Sequence, residues 1–147
     1  MACQSVYGMV DGSGNGGALS IPAGLTTYLY PDGNVTRPIA WETARFVLLV
    51  SAPYGGSAPG AMTFSVQKTH DLATWFNVTV RNISEAYNGV TDNSMASDTI
   101  QVDAVVATGV TQEIAIGLRE PAPFTRLVVT NTGTTNVEIE AWLYTTG

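Results

Sequence analysis

A chain of 147 residues is long enough for one domain with its own hydrophobic core. It is 45% hydrophobic but only 12% charged, roughly half the charged share of ordinary globular proteins, which points to a surface of Ser, Thr, Asn, Gly and small apolar groups suited to extensive contacts. Six Lys and Arg against twelve Asp and Glu leave a net charge of −6, with the basic residues scattered singly, and this excludes nucleic-acid binding by counterion displacement as the main role.

The chain opens on a weak strand over 5–10, followed by the glycine-rich run 11–17, which is costly to order. Residues 1–24 are therefore expected to form a flexible arm or linker ahead of a folded domain over 25–147. Val6, Tyr7, Met9 and Val10 give that arm a short apolar strand that can add to the sheet edge of a neighbouring molecule. Gly12, Gly14 and Gly17 match the letters of a dinucleotide-binding turn, but no helix start follows to receive a pyrophosphate, so no cofactor is expected. Cys3 is the only cysteine, which rules out an internal disulfide. No basic segment followed by an apolar run opens the chain and no stretch approaches transmembrane length, so neither a signal peptide nor a membrane partner is expected.

A short strand over 25–30 runs into a turn at 31–34, whose Pro, Asp and Gly each suit a turn position. The nearly continuous apolar run 45–51 reads as a central strand covered on both faces. In the segment 62–80 Phe64, Val66 and Lys68 alternate with polar residues, and Phe76, Val78 and Val80 do the same after a reversal at His70, Asp71 and Leu72. That is a hairpin with one apolar face, its turn favoured by Asp71 bonding its own backbone. Phe64 and Trp75 are expected in the core, with a bulge bringing Trp75 inward beside Phe76.

Residues 82–85 have the spacing of a capping box for one helical turn, which Asn88 and Gly89 then break. Asp92, Asp98 and Asp103 lack the dense ligand spacing of a calcium loop and read as solvated carboxylates. Ile100, Val102, Val105 and Val106 mark another strand region. The run 112–118 alternates clearly, with Ile114, Ile116 and Leu118 on one face. A last hairpin pairs 124–131 with 136–145 across the turn 132–135. In it Leu127, Val129, Val137, Ile139, Ala141 and Leu143 point to the core, and Glu138, Glu140, Trp142 and Tyr144 point away. About eight strands with turn signals every ten or so residues describe an all-β, antiparallel sandwich of jelly-roll type.

No enzyme emerges from the residues. His70 has no second His or Cys near it in sequence to complete a metal site, and no nucleophile elbow surrounds any Ser. Glu138 and Glu140 stand about 7 Å apart on one face of a strand, within glycosidase range, but alternating acids are also the ordinary dress of a solvent face. Trp41, Trp75, Trp142, Tyr28, Tyr30, Tyr54, Tyr87 and Tyr144 suit either a sugar-binding platform or core and interface anchors. Trp142 and Tyr144, opposite in parity to Leu143, mark a contact surface.

The stretch FSVQKTHDLATWFNV and the later APFTRLVVTNTGTTNVEIEAWLY resemble the strand pair of galactose-binding-like, discoidin-type jelly rolls. The turn lacks that family's Gly and its ligand loops have no counterpart here, so no ligand is carried over. The low-charge jelly-roll pattern with a Gly-rich arm is also similar to the capsid cement or decoration proteins of tailed bacteriophages. That resemblance implies a non-enzymatic virion protein, assembled in the host cytoplasm, that forms homotrimers and binds the major capsid protein on the capsid exterior. It needs no cofactor or metal, and Val6, Tyr7, Met9, Val10, Trp142 and Tyr144 are its expected interaction residues. The rival expectation is a non-catalytic carbohydrate-binding β-sandwich module, as on a phage tail or fibre.

Overall fold

The computed structural model describes residues 4–31, 43–52, 60–82, 100–118 and 124–146. These form eleven strands: β1 (Gln4–Val10), β2 (Leu19–Ile21), β3 (Thr26–Pro31), β4 (Thr43–Ser51), β5 (Gly60–Thr69), β6 (Phe76–Asn77), β7 (Val80–Asn82), β8 (Gln101–Val106), β9 (Thr111–Leu118), β10 (Phe124–Asn131) and β11 (Val137–Thr146). Along most of β5, β8 and β11 burial alternates residue by residue. In β11 Val137, Ile139, Ala141 and Leu143 are buried, while Glu138, Glu140, Trp142 and Tyr144 turn away.

One layer runs β7-β9-β4-β11, with β1 and β2 sharing the far edge of β11. The other runs β3-β10-β5, with β6 and β8 sharing the far edge of β5. Phe46, Leu48, Ile114, Ile116 and Leu143 from the first layer and Leu29, Phe64, Val66, Leu127 and Val129 from the second belong to one hydrophobic core. At Gly60 the layers come close: a Cβ there would stand 2.7 Å from Val137 Cγ2, so only glycine lets β5 start beside β11. The fold is an all-β antiparallel sandwich, jelly-roll-like, as the alternation implied. Its strand count exceeds the expected eight because β1 joins the sandwich, β2 is an added three-residue strand, and the strand expected after the reversal at 70–72 is divided into β6 and β7.

Three expectations are corrected. The arm is not free. β1 pairs with β11 from Gln4↔Thr146 to Gly8↔Trp142, and its last residues pair with β3 at Met9↔Pro31 and Val10↔Tyr30, so β1 joins the two layers. Met9 is buried, and pairing covers the N–H and C=O groups that the β11 edge would otherwise expose. The glycine-rich run after it is an ordered turn: Asp11 Oδ1 accepts from the backbone N–H groups of Ser13 and Asn15, and Gly14 takes the left-handed φ of 86° that the reversal needs. β2 then returns to β11, pairing from Val137↔Ile21 to Ile139↔Leu19.

The hairpin over 124–145 has its strands in the expected places but does not exist as a pair. β10 bonds β3 and β5, whereas β11 bonds β1, β2 and β4. The link 132–136 therefore crosses between layers. Asn131, fully buried, secures the crossing by donating to the carbonyls of Ile21 and Thr135, at 2.9 and 2.8 Å, and accepting from the N–H of Gly133.

The hairpin over 62–80 is cut short in the same way. β5 and β6 pair only at Gln67↔Asn77 and Lys68↔Phe76, after which the chain crosses to form β7 against β9. Phe64 is in the core as expected, but Trp75 is only half-buried and Phe76 is 53% exposed. Phe76 keeps the inward parity and lies opposite Lys68, past the last core layer at Val66, while Trp75 falls on the outer face. The turn at 31–34 and the capping box at 82–85 extend beyond the described residues, and Trp41, Tyr54, Tyr87, Asn88, Gly89, Asp92 and Asp98 lie outside them.

Candidate functional site

β10 runs between β3 and β5, and its outward residues meet those of both neighbours. Arg126 is paired with Gln67 on β5, and Val128 faces Tyr28 on β3. The Arg126 guanidinium carbon lies 4.1 Å from the Tyr28 ring centroid and 3.9 Å from that of Trp75, so two aromatic rings clasp the cation. Nε and Nη2 both donate to Gln67 Oε1, at 2.9 and 2.7 Å, and Nη1 donates to the Tyr30 hydroxyl at 3.3 Å. Gln67 in turn donates to Asn77 Oδ1 at 3.1 Å, and Tyr30 meets Trp75 edge-on with centroids 6.5 Å apart.

Trp75 reaches this cluster because of the turn before it. Asp71 Oδ1 accepts from the N–H groups of Ala73 and Thr74, at 2.9 and 2.8 Å, and from the Thr69 hydroxyl, while Thr69 Oγ1 accepts from the N–H of Leu72. Leu72 is held at φ 62°, a left-handed conformation that a branched side chain tolerates only when its surroundings enforce it. The N–H of Thr74 above all, then that of Ala73 and the Thr69 hydroxyl, lower the Asp71 carboxyl to about 2. His70 is exposed on the same turn.

From the clasp, polar residues continue across the outer face. The hydroxyls of Thr26 and Thr130 share a hydrogen bond of 3.0 Å, and Asp103 Oδ1 accepts from Thr63 at 2.9 Å and from Gln101 at 3.2 Å. Among the described residues no group of three or more His, Cys, Asp or Glu is placed to hold a metal ion.

The sequence-expected interaction residues divide. Val6, Trp142 and Tyr144 gather on the outer face of the other layer, where Val6 pairs with Tyr144, and Trp142 lies between Gly8 and Val47. The Arg45 guanidinium carbon there is 5.3 Å from the Tyr144 ring centroid. Tyr7 packs on the core and Met9 is inside it, so neither presents a contact surface, and Val10 is half-buried at the junction with β3. Sequence reading missed Arg126, Gln67 and Tyr28 as a group. Each has outward parity, but only the register of β3, β10 and β5 brings them together.

No protein-family model and no curated protein matches the chain. Among solved structures, it is similar to the N-terminal endo-1,4-β-D-xylanase 10B of Clostridium thermocellum, whose CBM22-1 and GH10 modules were solved complexed with xylohexaose. The TM-score is 0.51 at 12% identity over 99% of this chain, which spans 26% of the length of that one. The likeness is one of fold: the neighbour contains a carbohydrate-binding β-sandwich module.

Proposed function

We propose that the chain is a non-catalytic carbohydrate-binding β-sandwich module, with its saccharide lying across the outer face of the β3-β10-β5 layer. The observation that carries this reading is the Arg126 clasp. Tyr28, 41% exposed, and the half-buried Trp75 offer ring surface to a sugar's C–H face. Gln67, Asn77, Thr63 and Thr130 beside them supply the hydroxyl and amide partners that fix a sugar's orientation. The fold likeness to a chain containing a CBM22 module supports it at the level of architecture. The test is an immobilised-glycan screen followed by calorimetry with Tyr28→Ala and Trp75→Ala. Each substitution should weaken binding tenfold or more. Retention of no saccharide, or undiminished binding by both variants, would sink the reading.

A second reading, a capsid decoration protein in homotrimers on a major capsid protein, is favoured by the opposite face. There Trp142 and Val47 are half-buried, Leu49 is 38% exposed and Val6 53% exposed. Co-sedimentation with capsids, lost in Trp142→Ser but kept in Trp75→Ala, would favour it. A monomer at all concentrations in light scattering, with no capsid retention, would end it.

A further inference from the structure

We infer that the saccharide taken at the Arg126 clasp carries a carboxylate, as a uronic acid residue does, and that the outer end of the guanidinium is its receptor. The inference rests on the carbohydrate-binding reading and narrows it to acidic glycans. A guanidinium has five N–H donors. Three are used: those of Nε and Nη2 toward Gln67 and one of Nη1 toward Tyr30. β5 and β3 lie on opposite sides of β10, so these two acceptors approach the group from opposite flanks. One N–H remains on each Nη, at the end between the flanks, which is the fork that a planar carboxylate takes side by side.

The cation's charge is also left open. Its polar partners among the described residues are a neutral amide and a phenol, with two ring faces stacked on it and no carboxylate paired with it. Asp103, the carboxylate on the same face, is engaged by Thr63 and Gln101. Rings clasping the cation remove water from its faces, which strengthens its attraction for an anion at the end that remains. The net charge of −6 opposes an anionic ligand at long range. At physiological salt that field is screened beyond about 8 Å, so a short-range fork decides the outcome.

The experiment compares three probes by calorimetry: a uronate-bearing oligosaccharide, the same oligosaccharide with its carboxyl reduced to the alcohol, and a sulfated oligosaccharide. Binding of the uronate form at least tenfold tighter than the reduced form, weakening with salt while the reduced form does not, is the expected result. Arg126→Lys keeps the charge but loses the fork, and should abolish the preference. Gln67→Glu pairs the cation internally and should erase the preference, uronate and reduced sugar then binding alike within that variant. Melting temperature reports whether each variant folds, and either one alone suffices for the test. Equal binding of uronate and reduced sugar, or preference for the sulfated probe, overturns the inference and leaves the carbohydrate reading standing. Failure of all three probes overturns the inference, and the carbohydrate reading falls with it when the glycan screen also retains no saccharide.

Discussion

On the outer face of the β3-β10-β5 layer Tyr28 and Trp75 hold Arg126, which Gln67 and Tyr30 hold from the flanks. On the outer face of the β11-β4-β9 layer Trp142 has Val47 and Gly8 beside it, and Tyr144 has a cation, Arg45, at the longer distance of 5.3 Å. Both faces come from the same period-two alternation over one core. The first is a fixed arrangement of donors and rings, suited to a ligand that must be oriented. The second is an apolar strip with Glu138, Glu140 and Glu113 toward one end and Arg45 toward the other, suited to an extended contact surface.

The comparison is broken most completely through what the faces share. Phe64 is fully buried between the layers, so Phe64→Ala should cost about 3–5 kcal/mol in denaturant titration and disturb both faces. Phe76→Ala, at 53% exposure, should cost under about 0.5 kcal/mol. Asn131→Ala should come next, at about 1–3 kcal/mol, because it leaves the buried carbonyl of Ile21 without its donor and loosens the crossing between layers. A loss as small as that of Phe76→Ala would mean that the crossing holds without its clip.

How these residues behave shows what a sequence can say. Alternation assigned Ile139, Leu143, Phe64 and Val129 to the core and Trp142, Glu138 and Glu140 to the outside, because it encodes which face a side chain takes. It does not encode which strand lies alongside. Chain neighbours looked like hairpin partners at 62–80 and 124–145, yet in both places the chain crosses to the other layer. The strand at the N-terminus looked free because its partner β11 is the last strand of the chain. For the same reason the Arg126 clasp was illegible: Gln67 is 59 residues away in sequence and Tyr30 is 96 away. What was legible was its support, since Asp71 at the reversal of 62–80 marked the turn that delivers Trp75.

The two half-buried tryptophans sharpen the comparison directly. Trp75→Ala removes a ring from a clasped cation and an edge contact to Tyr30, and should destabilise the isolated protein by about 1–2 kcal/mol. Trp142→Ala removes a ring that lies between Gly8 and Val47 on its sheet face and should cost less than half of that in the same titration. Equal losses would show that the outer face of the β11-β4-β9 layer is as internally committed as its counterpart.

The smallest effect is confined to the turn that aims Trp75. Asp71 titrates at about 2 in the folded protein against its ordinary 3.8, so folding favours its ionised form. The stabilisation is complete above 3.8 and disappears as pH falls through about 2. Stability should therefore decline across that window, and the difference between the wild type and Asp71→Asn should shrink over the same range, since an amide has no proton to gain. Asp11, whose carboxyl is also held below its ordinary value, chiefly by the backbone N–H of Asn15, contributes acid sensitivity to both proteins and cancels in the difference. The carboxylate is exposed, and solvent screening keeps the effect small. Its location is the informative part. Acid or Asp71→Asn should loosen Trp75 and the proposed saccharide site while leaving Trp142 and Tyr144 unmoved. A tryptophan fluorescence titration of the double variants Trp41→Phe/Trp142→Phe and Trp41→Phe/Trp75→Phe, each keeping one of the chain's three tryptophans, reads the two rings separately, and an acid transition seen at Trp142 but not at Trp75 would refute this account of the turn.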